Sequence, residues 1–338
     1  MADSTVTSPS SSNTTTKDCS APLCQCVYYM SGEAMMYITL VLYLLIFVVG
    51  LVENILVLWI NWQMKKAKKE SNLYIFNLAI SDMIAVLIIP LRIIEILLHY
   101  RWIWGSFLCK LDGFLYCLNL YCNVFFLLSS SVDRYFSLRY PAQAQGSRDR
   151  RIRRLICVSV WTLAMVLSIP NYLFHQLYGY YDNYCFLDSR RSWYIQSSLT
   201  LIFGFVIPFP IIIVSNIITA KAAKASGNKE IIRTCKLIYG YIITFLICWS
   251  PYYFLLLAEL MDWDQNCYML YALYFFYDFT VCLTCTHCII NPILFNFMYK
   301  DFRYHFATSI VKFLPKKYAK EDDDVSISSD TRHIVVIS

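Results

Sequence analysis

Met36-Tyr37-Ile38-Thr39-Leu40-Val41-Leu42-Tyr43-Leu44-Leu45-Ile46-Phe47-Val48-Val49-Gly50-Leu51-Val52 contains no charged side chain, and only Glu53 adds one before Lys65. A helix needs about 20 mainly apolar residues to cross the hydrocarbon of a bilayer. This stretch therefore reads as a membrane span. Six further segments qualify, giving spans at 36–62, 72–98, 107–139, 153–175, 193–223, 230–261 and 268–298. The third is the least clean, with Asp112, Asn119 and Asn123. Polar groups inside a span are costly and face the bundle interior. The expected fold is an all-α membrane protein, a seven-transmembrane helix bundle over residues 36–298.

Composition agrees. The 338 residues are 58% hydrophobic and 15% charged, against about 25% charged in soluble domains. The net charge of +6 sits in alternate links: Lys65, Lys66, Lys68 and Lys69; then Arg148, Arg150, Arg151, Arg153 and Arg154; then Lys224, Lys229 and Arg233. Basic short loops stay in the cytoplasm. The charge is thus a topology signal, and no nucleic-acid partner is expected. Seven spans then put the 1–35 tail outside the cell and the C-terminus inside. The tail has no apolar run of signal-peptide type, so the first span directs insertion. Asn13-Thr14-Thr15 is its glycosylation site.

Beyond the last span, 299–313 alternates basic and aromatic residues and reads as an amphipathic helix on the inner lipid surface. Residues 314–338 are too polar to fold alone. There Ser326, Ser328, Ser329 and Thr331 follow the acidic run Glu321 to Asp324. Receptor kinases are the expected modifiers, and the added phosphates would recruit arrestin. Among the fourteen cysteines, no Cys-x-x-Cys pair lies beside a second such pair or a His pair, so no zinc site is expected. Cys282, Cys285 and Cys288 read as small apolar residues. Cys19, Cys24, Cys26, Cys109, Cys185 and Cys267 fall near the outer face and are disulfide candidates.

Each span carries a signature: Gly50 to Asn54, Asn77 to Asp82, Asp133-Arg134-Tyr135, Trp161, Pro208, Cys248-Trp249-Ser250-Pro251 and Asn291-Pro292-Ile293-Leu294-Phe295. In this order they resemble the rhodopsin-like G-protein-coupled receptors over 36–313. The resemblance implies a sodium and water pocket at Asp82 with Asn54, Asn119, Asn123 and Asn291. It implies that Asp133 cages Arg134 beside Tyr135, that Trp249 is a rotamer switch, and that Pro251 and Pro292 permit kinks. It implies a Cys109–Cys185 disulfide. A sodium ion is the only metal it brings, with no other cofactor.

Pro90, Trp102-Ile103-Trp104-Gly105 and His287 to Pro292 are similar to chemokine receptors, which implies a second bridge, Cys26–Cys267. Val48 to Asn54, Tyr274 to Asp278 and the closing Ile334 to Ile337 resemble the atypical, scavenging members of that branch. That resemblance implies extracellular chemokine ligands, arrestin recruitment, and a plasma-membrane receptor cycling through endosomes. Phe136-Ser137-Leu138 after Asp133-Arg134-Tyr135, Asn216 where the family usually has Tyr, and Phe295 in place of the span-seven Tyr all depart from signalling receptors. Each lost hydroxyl should weaken the active state by about 1 kcal/mol, so weak or absent G-protein coupling is expected. Arg92, Glu95, Tyr116, Tyr252 and Asp278 are the candidate ligand pocket. An acidic outer surface should steer basic ligands. The competing reading is a G-protein-signalling chemokine or peptide receptor, including a virally captured one. A light sensor is disfavoured because span seven has no Lys before Lys300. No catalytic constellation is visible, so an enzyme is not expected.

Overall fold

The computed structural model describes residues 22–66, 73–140, 147–179, 183–226, 229–261 and 267–298. Among them are nine α-helices, one π turn and a two-stranded hairpin: α1 (Pro22–Lys66), α2 (Leu73–Leu97), α3 (Gly105–Arg139), α4 (Ser147–Phe174), β1 (His175–Tyr178), β2 (Tyr184–Leu187), α5 (Arg190–Leu201), α6 (Pro208–Ser226), α7 (Lys229–Leu260), α8 (Cys267–Cys285) and α9 (His287–Met298). The π turn, Ile202–Val206, joins α5 to α6. Together α5 and α6 form one span, and α8 and α9 form another, making seven. Five stretches, 34–63, 105–137, 150–174, 190–222 and 239–260, are long and apolar enough to cross a membrane. The span made by α2 and that made by α8 and α9 complete the bundle.

The packing is that of a membrane protein. Helix α3 lies at the centre, with Leu118, Leu120, Tyr121, Cys122, Val124 and Phe126 all buried. A helix buried all round cannot be a surface helix of a soluble domain. The outward faces of α1 and α4 instead expose Val41, Leu45, Val48, Leu155 and Val158, a surface suited to lipid.

Three places depart from the sequence expectation. Helix α1 begins at Pro22, ahead of the expected start of the first span at residue 36, while the stretch apolar enough to cross a membrane begins at Ala34. Proline favours the first helical turn, where its missing N–H is not needed. The expected continuous fifth span is interrupted, because Pro208 has no N–H for the Gly204 carbonyl. The Ile207 N–H bonds back to Ile202 O at 3.0 Å instead. The expected seventh span breaks at Thr286. There Thr280, Thr284 and Thr286 hydroxyls donate to the carbonyls of Tyr277, Val281 and Leu283, a local competition that bends helices. Asn13, the 299–313 helix, the 314–338 tail with Ser326, Ser328, Ser329 and Thr331, and the side chains of Cys26, Cys267 and Phe295 lie outside what the structure describes.

Candidate functional site

The functional residues sort into a mouth, a middle and an opposite end. At the mouth, β1 and β2 pair antiparallel with Leu177 opposite Cys185. Cys185 is joined to Cys109 of α3 by a disulfide, Cα to Cα 5.7 Å, as the resemblance implied. His175 opens β1 directly on Gly113, where a Cβ would come 2.7 Å from the imidazole. Burial pushes the His175 pKa down to about 4, against the smaller upward pull of its bond to the Asn171 carbonyl. The imidazole is therefore neutral near pH 7.

Beneath the hairpin, Arg92 Nε donates to Asp112 Oδ1 at 3.1 Å and Nη1 donates to Glu95 Oε2 at 3.2 Å. Arg92 Nη2 also pairs with Asp112 Oδ2. Asp112 and Glu95 are both buried, and the guanidinium fork suits a two-point grip on a carboxylate. Asp278 lies beside Tyr100 and within the field of Arg92. Below this layer, Tyr116 Oη meets Thr284 Oγ1 at 3.1 Å. The Tyr116 ring packs 6.2 Å from both Trp249 and Tyr252. The five expected pocket residues thus form two adjoining tiers, charged above and aromatic below. Asp112 was not among them. Its signal was available, because an intramembrane cation such as Arg92 requires a carboxylate on a neighbouring helix.

In the middle, Asp82 is fully buried. Asn119 and Asn123 donate to its Oδ1 at 3.1 and 2.9 Å, and Asn291 donates to Oδ2 at 3.1 Å. His287 Nε2 lies 3.3 Å from Oδ1; this contact was not expected. Asn123 Oδ1 accepts from Asn291 at 3.0 Å. Hard cations take oxygen ligands. Four nitrogens rather than oxygens face the Asp82 carboxylate, a shell poorly suited to sodium. Asn54 stands just outside this shell. Its Nδ2 donates to Gly50 O at 2.9 Å and to Cys288 O at 2.8 Å, so it adjoins the cluster through α9 backbone. The reason is Pro292, whose missing N–H leaves the Cys288 carbonyl without its helical donor.

Toward the opposite end, a cavity runs from Trp249 past Asn123 and Asn291 to Arg134. Arg153 Nε donates to Asp133 Oδ1 at 3.3 Å and lies 3.2 Å from Oδ2, so α4 shares this carboxylate. Tyr135 packs against Phe136, ring centres 5.4 Å apart. Asn216 is buried, and its Nδ2 donates to Ser131 Oγ at 3.0 Å and to Ile212 O at 2.7 Å. Pro251 and Pro292 lie inside α7 and α9.

Residues 53–295 match the family model "7 transmembrane receptor (rhodopsin family)". The chain is 36% identical over 325 residues to G-protein coupled receptor 182 of Homo sapiens, covering 94% of this chain and 80% of that protein. It is 32% identical over 321 residues to atypical chemokine receptor 3 of Homo sapiens, covering 91% and 89%. It is 33% identical over 290 residues to the type-1 angiotensin II receptor A of Xenopus laevis, covering 82% and 80%.

Proposed function

The chain belongs to the rhodopsin family of seven-transmembrane receptors, and from that premise we propose that it captures and internalises chemokines at the cell surface with weak or no G-protein signalling. As a family member it is a multi-pass membrane receptor of the chemokine type and not an enzyme. In this reading the Cys109–Cys185 end is extracellular and Arg134 faces the cytoplasm. Chemokines enter between the hairpin and the Arg92 tier, receptor kinases and arrestin act on the tail, and the receptor cycles through endosomes.

One observation carries the signalling half of the proposal. Asn216 stands where relatives that signal use a Tyr, and its amide is tied to Ser131 on α3. A short, anchored carboxamide cannot extend a hydroxyl toward the cavity beside Arg134. The engagement of Asp133 by Arg153 further distributes the charges that would otherwise act as a two-residue latch. A second reading, a G-protein-signalling chemokine or peptide receptor, is favoured by the intact Asp133-Arg134-Tyr135 triplet.

The test is uptake of a panel of fluorescent chemokines by cells expressing the receptor, with a G-protein reporter run in parallel. Uptake without a reporter response is expected. A robust ligand-driven reporter response sinks the scavenging reading in favour of the second. Restoring both hydroxyls together, Asn216→Tyr with Phe295→Tyr, should raise reporter output above the wild-type level.

A further inference from the structure

We propose that Asp82, His287 and Cys288 form a binding site for a borderline divalent cation of the zinc class in the middle of the bundle. All three side chains are buried, and one ligand atom from each lies within 4.8 Å of the others. They offer one oxygen, one nitrogen and one sulfur, a mixed set that suits zinc and suits sodium poorly. The inference does not depend on the scavenging reading.

The two separations from His287 Nε2 fit a metal. Zinc bonds of roughly 2.05 Å to nitrogen or oxygen and 2.3 Å to sulfur, at tetrahedral angles, put nitrogen about 3.3 Å from oxygen and about 3.6 Å from sulfur. His287 Nε2 is 3.3 Å from Asp82 Oδ1 and 3.6 Å from Cys288 Sγ. Consecutive side chains of a regular helix diverge. His287 and Cys288 converge in the first turn of α9, directly after the break at Thr286.

The tautomer of His287 sharpens the case. Its Nδ1 contacts the Thr284 carbonyl oxygen, which can only accept, so Nδ1 carries the proton. In neutral His287 the Nε2 lone pair then faces a carboxylate oxygen 3.3 Å away. Two acceptors at that distance repel unless a positive charge lies between them, either a proton or a metal ion. A backbone carbonyl on the distal ring nitrogen is the usual second partner of a metal-binding imidazole. Asn54 adjoins the cluster through the Cys288 backbone, its amide holding that carbonyl, and its Oδ1 is buried with no hydrogen-bond partner. Asn123 and Asn291 line the adjoining cavity, which gives a fourth ligand or water a place to enter. Binding would expel the Cys288 thiol proton to solvent, leaving thiolate, imidazole and carboxylate on the ion.

The experiment uses the full chain purified in detergent micelles, stripped of metal with a chelator and titrated with cobalt(II). A thiolate-to-cobalt charge-transfer band in the near ultraviolet is expected, and zinc should abolish it by displacement. Cys288→Ser and Cys288→Ala should lose the band while Cys285→Ser keeps it. His287→Gln should weaken cobalt binding at least tenfold. Metal-free melting curves establish which variants fold; if neither Cys288 variant does, Asp82→Asn and His287→Gln decide. Absence of the band, its survival in a folded Cys288 variant, or a rise in melting temperature with sodium but not zinc overturns the proposal.

Discussion

The mouth and the middle of this bundle bury carboxylates in opposite ways. At the mouth, Asp112 and Glu95 are held by a full positive charge, the Arg92 guanidinium. In the middle, Asp82 accepts hydrogen bonds from three neutral carboxamides, with the His287 imidazole beside them. A charge-for-charge solution is strong but brittle, since deleting either partner strands the other in low dielectric. A shell of amide dipoles spreads the stabilisation over several bonds, so no single donor is decisive.

The largest effect should come from breaking the brittle region. Arg92→Met leaves two buried carboxylates without their cation. We expect a loss of roughly 3 kcal/mol, because the Arg92 side chain is 31% exposed and partly screened. Asp82→Asn, melted without added metal, should lose about 1 kcal/mol or less. If the two substitutions lower the melting temperature equally, the contrast between the regions fails.

Asn54→Leu tests the backbone around the amide shell. It strips the Cys288 carbonyl of the donor that replaces the bond missing at Pro292, at a cost of about 2 kcal/mol. Hydrogen exchange in α9 should quicken, and an unchanged exchange rate would remove the assigned role.

Acid should separate the regions as well. His175 has a folded-state pKa of about 4 against an ordinary 6.5, so the unfolded chain takes up the proton first. Its contribution is complete above pH 6.5 and drains away as pH falls toward 4. Between pH 7.5 and 5.5 the hairpin should lose about 1 kcal/mol. Local exchange at 175–178 is the measurement, and His175→Phe should flatten the pH profile. The smallest effect is expected at the opposite end. Ser131→Ala removes one of two acceptors for the Asn216 amide and should cost below about 1 kcal/mol in thermal stability.

The sequence announced the spans and their motif residues because hydrocarbon thickness and intramembrane polarity leave marks that need no neighbours to be read. Asp82, Asn119, Asn123 and Asn291 were each visible in that way, while their grouping came only through the family resemblance. The pairings Arg92 with Asp112, Asp133 with Arg153 and Asn216 with Ser131 were not anticipated. Each joins residues on different helices, and the rotation of one helix against the next is set by packing. The breaks at Ile202–Val206 and Thr286 were missed for a related reason. Pro208 and the three threonines were in plain sight, but whether a helix answers with a π turn, a bend or a gap depends on what stands ready to satisfy the freed carbonyls.

The divided seventh span has a mechanical consequence. A continuous rod passes torque from one end to the other, whereas a rod with two joints lets either end turn while its neighbour stays still. Span seven has a gap at Thr286 and a missing rung at Pro292, less than two helical turns apart. A movement at the mouth therefore need not be felt at the far end of the same span.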